Sequence, residues 1–185
     1  MGGVSYGMRN STLINIENPA GLTALDSKRL LTELSIFAKN ESYTSGSSSN
    51  QAFTGSFSAL MLGGRVIPRW YMAVSLTPYS SVGYYFHSSQ PIEGAPHESY
   101  AAAFTGSGGI SKVSWSNAYL LSRHWSLGAN ISYLFGNIVL SEQQSDLVVE
   151  KRMHARSLYA NLGIQYHRAL THDLSYTWGV VYGYR

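Results

Sequence analysis

The sequence predicts an all-β fold, an antiparallel transmembrane β-barrel preceded by an irregular N-terminal segment, and three observations predict it. From Leu30 onward, apolar and polar residues alternate with period 2 in segments of ten or more residues. That is the length a tilted strand needs to cross a bilayer, about 9–11 residues, and roughly twice the 5–6 typical of a soluble sheet. Charged residues make up only 12% of the chain against 44% apolar and 13% aromatic, with 14 Tyr and 18 Gly; soluble domains carry about 25% charged residues. No run of apolar residues approaches the ~18 that a membrane helix needs, so any crossing must be made by strands that satisfy one another's backbone groups.

Residues 1–29 follow neither the strand nor the helix period. Pro19 biases Asn18 toward an extended conformation, and one helical turn is expected near Ala20 to Leu25. Seven alternating segments follow. In the first, Leu30 to Tyr43, Leu34, Ile36 and Ala38 oppose Glu33, Ser35 and Lys39. In the second, Gln51 to Arg65, Phe53, Phe57, Ala59 and Met61 alternate with Thr54, Ser56 and Ser58. The third, Arg69 to His87, sets Trp70, Met72, Val74 and Leu76 against Tyr71, Ser75 and Thr77. The fourth, Tyr100 to Leu121, changes phase across Gly106-Ser107-Gly108-Gly109, as a glycine-rich β-bulge would cause. The fifth, Trp125 to Leu140, is the most regular: Trp125, Leu127, Ala129, Ile131, Tyr133 and Phe135 alternate with Ser126, Gly128, Asn130, Ser132, Leu134 and Gly136. The sixth, Val148 to His167, places Leu158, Ala160, Leu162, Ile164 and Tyr166 on one face. The seventh, from Asp173 to Arg185, does so with Leu174, Tyr176, Trp178, Val180, Tyr182 and Tyr184.

The small polar face fits a wet lumen and the bulky face fits lipid. Connections expected at Val66 to Pro68, Ser122 to His124 and Arg168 to His172 are short. Those at Thr44 to Asn50, Ser88 to Glu98 and Ser141 to Asp146 are longer and hydrophilic. Short turns on one side and long loops on the other is the asymmetry of bacterial outer-membrane barrels, with long loops outside the cell. Trp70 and Trp125 follow short turns, where an interfacial aromatic girdle lies.

Several functions are disfavoured. The net charge is +3, but the basic residues are scattered, unlike the dense stripe of a nucleic-acid binder, so no nucleic-acid partner is expected. There is no Cys, hence no disulfide framework or thiolate metal site. The six His are dispersed; His167 and His172 flank one turn, and polar residues at a membrane interface account for them better than a metal site. No Ser sits in a nucleophile motif, so an outer-membrane lipid hydrolase is a minor alternative. Gly106 to Gly109 lacks a phosphate-loop Lys. No enzyme activity, metal or cofactor is expected. A soluble β-sandwich lectin is the alternative that extraction into buffer without detergent would favour.

Met1-Gly2-Gly3-Val4 and Asn18-Pro19-Ala20-Gly21-Leu22 resemble the N-terminal signature of the FadL-like outer-membrane transport family. Arg69-Trp70 with Thr77-Pro78-Tyr79-Ser80-Ser81-Val82-Gly83-Tyr84 is similar to Bacteroidetes-type members, as are Gly106 to Gly109 and Ser126-Leu127-Gly128 through Phe135-Gly136. The resemblance implies a fourteen-stranded barrel in the bacterial outer membrane, with a plugging hatch that Asn18, Pro19 and Ala20 match. It also implies porin-like passive uptake of small hydrophobic compounds, fatty-acid-like or aromatic. A related PorV-like branch implies the alternative, a non-transport barrel acting as a scaffold or secretion-associated partner. Seven strands are an odd number where single-chain bacterial barrels are even. The chain therefore reads as part of a barrel of fourteen strands, with a small eight-stranded barrel, one strand lying before Leu30, as the alternative.

On this reading residues 1–29 are the hatch, unless Asn18-Pro19-Ala20 is a plain proline turn, and residues 30–185 are barrel strands. A plug must satisfy its backbone groups against lumen side chains, for which Glu33, Ser35, Lys39, Asn130, Asn161 and Gln165 are candidates. Aromatics on the polar face, Phe37, Tyr71, Tyr79 and Tyr159, are candidates to line a hydrophobic ligand, ordinary lumen filling being the alternative. Lys39 or Arg69 would meet a carboxylate. Expected partners are outer-membrane lipid, the small hydrophobic ligand and a protein of unspecified identity.

Overall fold

Seven strands form one antiparallel sheet in the computed structural model, which describes residues 5–28, 30–45, 48–92, 95–144, 147–171 and 174–184. They are β1 (Leu30–Ser45), β2 (Ser48–Ile67), β3 (Trp70–Ile92), β4 (Ala95–Leu120), β5 (Trp125–Gln144), β6 (Leu147–Ala169) and β7 (Ser175–Tyr184). Each strand lies beside its sequence neighbours, with β1 and β7 at the two ends of the ladder. Nearest-neighbour pairing is the arrangement that short connections impose. A fourteen-stranded closure is not shown by this sheet.

The hydrophilic stretches expected as long loops are mostly strand. β1 and β2 stay in register to Ser45 and Ser48, β3 runs to Ile92 and β4 starts at Ala95, and β5 runs to Gln144 before β6 starts at Leu147. Ladder hydrogen bonds join backbone groups, so a run of Ser, Thr, Gln and Glu does not end a strand when its partner continues. Residues 46, 47, 93, 94, 145 and 146, part of those expected loops, lie outside the described residues, as do His172, Asp173 and Arg185 and the Met1 to Val4 portion of the N-terminal motif.

The chain divides into two compact units. The first comprises Met1–Thr77, Val113–Tyr133 and Leu158–Arg185, the second Pro78–Lys112 and Leu134–Ser157. In the first unit the sheet is inside-out relative to a water-soluble one. On β5, Ser126 is fully buried and Asn130 is 2% exposed, whereas Leu127 is 42% and Ile131 48% exposed. On β4, Ser114 and Ser116 are buried, and Val113 and Trp115, which alternate with them, are exposed. Leu162, Trp178, Val180 and Tyr182 are likewise exposed, while Asn161 and Gln165 are buried.

What buries the polar face is the N-terminal segment. It holds one regular element, a 3₁₀ turn at Pro19–Ala24, close to the turn expected at Ala20 to Leu25. Ile14, Leu22 and Leu25 pack on Ala59 and Met61 of β2, Tyr71 and Ala73 of β3, and Ala118 of β4. Each large aliphatic buried this way contributes about 1.5–3 kcal/mol.

In the second unit the ring of Tyr84 covers Gly106, and Phe86 stacks on Phe104 at 5.1 Å. These β4 aromatic contacts fall at even positions, whereas β4's exposed Val113, Trp115 and Tyr119 in the first unit are odd. Between them lies Gly108 at φ 108°, a conformation only glycine adopts freely.

Candidate functional site

The site with the most built-in structure is the seat of the N-terminal segment on β5, β6 and β7. Proline fixes the first residue of the 3₁₀ turn, and Asn18 caps it: its Oδ1 accepts from Ala20 N at 3.1 Å. A short polar side chain in extended geometry suits a cap of this kind. The same side chain donates through Nδ2 to Tyr6 O at 2.8 Å and to Ile164 O of β6 at 3.3 Å. Asn18 therefore ties the turn to the chain before it and to the sheet. Asn15 braces it from behind, its Oδ1 accepting from Asn18 N and its Nδ2 donating to Ser5 O and Met8 O.

Gln165 is fully buried and meets the segment from the sheet side. Its Nε2 donates to Tyr6 O at 2.7 Å, and its Oε1 accepts from Arg9 Nη1 at 3.1 Å. Arg9 Nη1 also donates to Ser126 Oγ at 3.1 Å. His167 N donates to His124 O at 2.9 Å, which sets β5 against β6 so that Ser126 lies beside Gln165 and Gly128 beside Gly163. The missing side chains of that glycine pair make the seat. A Cβ on Gly163 would overlap Asn18 Oδ1, and one on Gly128 would overlap Ala20 N and the Pro19 carbonyl carbon. Burial pulls the Arg9 guanidinium below its ordinary pKa, yet arginine stays charged at neutral pH. Among the described residues Arg9 has no carboxylate partner in an ion pair, so neutral oxygens of Ser126 and Gln165 solvate it.

The sequence candidates are distributed as follows. Asn18, Pro19 and Ala20 are all fully buried on the seat. Of the expected lumen contacts, Gln165 bonds to the segment; Asn130 and Asn161 are buried, each with an Oδ1 that has no hydrogen-bond partner. Glu33 and Ser35 are half-exposed on β1, and Lys39 is exposed and paired with Glu41. Of the ligand candidates, Tyr71 is buried in the apolar core, Phe37 is 48% exposed on β1, and Tyr159 is half-buried on β6. Arg69 occupies the β2–β3 turn with φ 69°. Tyr79 belongs to the second unit and is exposed. Neither these five nor Lys39 lines the apolar groove of about 510 Å³ on the first unit, which is formed by residues of β3 to β6.

Arg9, Ser126, Gly128 and Gly163 carry the seat and were not singled out for it by the sequence. A signal existed: glycines at alternating polar-face positions of β5 and β6 mark a close backbone approach. Among the described residues no cluster of three His, Cys, Asp or Glu stands in metal-binding geometry. No helix among them is long and apolar enough to cross a membrane, which says nothing of strands.

A family model described as BamG matches residues 1–185, the whole chain. The chain belongs to the BamG family. No curated protein matches it, and no solved structure does.

Membership of BamG corrects the FadL-like resemblance, and with it the reading as a FadL-like, porin-like channel for passive uptake of small hydrophobic substrates. The resemblance rested on short motifs, Asn-Pro-Ala before the first strand and Gly- and Tyr-rich alternation within strands. Physical constraints produce such motifs in any inside-out sheet: a proline turn seats compactly, glycines admit close approach, and tyrosines suit a polar–apolar boundary. They report the architecture and not the family, whereas the BamG match covers every residue.

Proposed function

We propose that this BamG-family chain is an outer-membrane β-sheet protein that works with the BAM complex in the assembly of outer-membrane proteins, as a scaffold or partner and not as a conduit. The observation that carries this reading is the family match over residues 1–185, whose name points to that complex. The geometry supports it in two ways. The exposed face of β3 to β7 carries Trp70, Trp115, Leu127, Ile131, Leu162, Trp178 and Val180, a surface suited to lipid and costly in water. The polar face of the first unit is covered by a segment held through Asn18, Arg9 and Gln165, which suits a fixed cover better than a passage.

Affinity purification of the tagged full-length chain from outer membranes in mild detergent tests the proposal. BAM subunits are expected to co-purify in stable proportion. Recovery of the folded chain without any BAM subunit would sink the assembly role. Extraction of the chain into buffer without detergent would sink the membrane reading itself.

A further inference from the structure

We propose that the outward face of β3 to β6 holds a binding site for one anionic phospholipid, its acyl chain in the groove beside Trp70 and its phosphate on the arginines of the short turns. The inference rests on the membrane-spanning reading above and adds to it a lipid class and a place.

The groove follows from side-chain size. Leu120 N donates to Arg69 O at 2.8 Å, which sets Trp70 of β3 beside Tyr119 of β4. Ser114 Oγ and Ser132 Oγ lie 2.8 Å apart, which sets Tyr119 beside Leu127 of β5. Trp70, Tyr119 and Leu127 thus form one cross-strand row. The next row from the turns is Asn117, Ala129 and Leu162. Two of its members are short, so the surface sinks between bulky neighbours and leaves an open, largely apolar groove of about 510 Å³. That is within the 300–1,000 Å³ range of ligand sites. One polar pair of its lining is mutually satisfied, since Trp70 Nε1 donates to Asn117 Oδ1 at 3.3 Å. The groove wall therefore offers an acyl chain no unpaired donor from the Trp70 indole.

The head-group end follows from charge. Arg65 and Arg69 flank the β2–β3 turn, Arg123 lies in the β4–β5 turn and Arg168 at the end of β6, and all four are exposed. The Leu120–Arg69 and His167–His124 backbone bonds hold these turns side by side. Among the described residues none of the four is ion-paired to a carboxylate. Trp125 meets Tyr166 at 4.9 Å and Trp178 at 5.6 Å, both edge-on. This aromatic row lies at the strand ends next to the turns, the level at which Trp and Tyr sit at head groups. Guanidinium groups bind phosphate oxygens with two parallel bonds, which a zwitterionic lipid's own ammonium would oppose. Clustered basic side chains at the membrane surface attract anionic head groups, and basic pockets between membrane segments bind them.

The test uses the full chain folded into vesicles of equal parts phosphatidylglycerol and phosphatidylcholine, extracted in mild detergent, with retained lipid counted by native mass spectrometry. One phosphatidylglycerol per chain is expected, favoured about tenfold over phosphatidylcholine. Arg69→Gln with Arg123→Gln should remove that preference, and Ala129→Phe, which fills the groove, should remove the retained lipid. Both alter exposed or outward positions, and resistance of the strands to protease reports whether each variant still folds in the vesicle. Equal retention of the two lipids, or loss with the arginine pair but not with Ala129→Phe, overturns the site while leaving the membrane reading standing. Failure of the unaltered chain to insert overturns both.

Discussion

At the scale of single residues, Asn18 is the one with most at stake. Its side chain accepts from Ala20 N and donates to Tyr6 O and Ile164 O. Asn18→Ala removes all three bonds and leaves buried backbone groups unpaired, at about 1–3 kcal/mol each before relaxation. Limited proteolysis of the folded protein should then cut within residues 5–25, with the strands still protected; equal protection in the variant would show that Asn18 does not hold the segment. Gly163→Ala approaches the same contact from the sheet, because its Cβ would overlap Asn18 Oδ1, and it should release the segment in the same way. Arg9 and Gln165 make a separate pair. A double-mutant cycle with Arg9→Met and Gln165→Met, read by denaturant unfolding, should give a coupling of about 1.5–3 kcal/mol, the range for a bond to a charged group. Additive losses would show that the bond contributes nothing to stability. Asn18 was legible only as an extended residue before a turn, because Pro19 follows it; its capping bond to Ala20 N was not. Arg9 was not legible, because its partners lie 117 and 156 residues away and no local pattern encodes that pairing.

At the scale of elements, alternation made the strands and their faces legible. On β5 the sequence separates Leu127 and Ile131 from Ser126 and Asn130, and the structure exposes the first pair and buries the second. It also placed the start of the first strand at Leu30. It failed at the far ends of the strands: in Ser141 to Gln144 of β5 both faces are polar, so periodicity vanishes although pairing does not. The faces yield a directional prediction. Ile131→Lys puts a charge on the apolar face, which costs about 2–4 kcal/mol at the middle of a bilayer and less near its edges. Ser132→Ala changes the buried face and breaks the hydroxyl contact with Ser114, worth about 1 kcal/mol. Folding from urea into phosphatidylcholine vesicles, followed by the gain of protease resistance, should be impaired much more by Ile131→Lys. The opposite order would mean that the bulky face does not meet lipid.

At the scale of the whole molecule, the two compact units differ in what holds them. The buried hydrophobics Ile14, Leu22, Leu25, Ala59, Met61, Tyr71, Ala73 and Ala118 all belong to the first, as do Asn18, Ser126 and Gln165. Among the described residues of the second, Ala102 is the one buried hydrophobic. Local opening is governed by how much packing must be undone with each hydrogen bond. Strands alone would predict uniform protection along β5 and β6, since both are continuously paired elements. Packing predicts a gradient along each strand instead. Amide exchange in vesicles should be slow at residues 126–133 and 158–167 and at least about tenfold faster at 134–144 and 147–157, on the same two strands. Gly163→Ala gives the decisive arm. If the N-terminal segment supplies the difference, displacing it should raise exchange at residues 126–133 toward the values of 134–144 and leave the latter unchanged. A gradient that persists in this variant would place its cause in the surrounding bilayer and not in the packed segment.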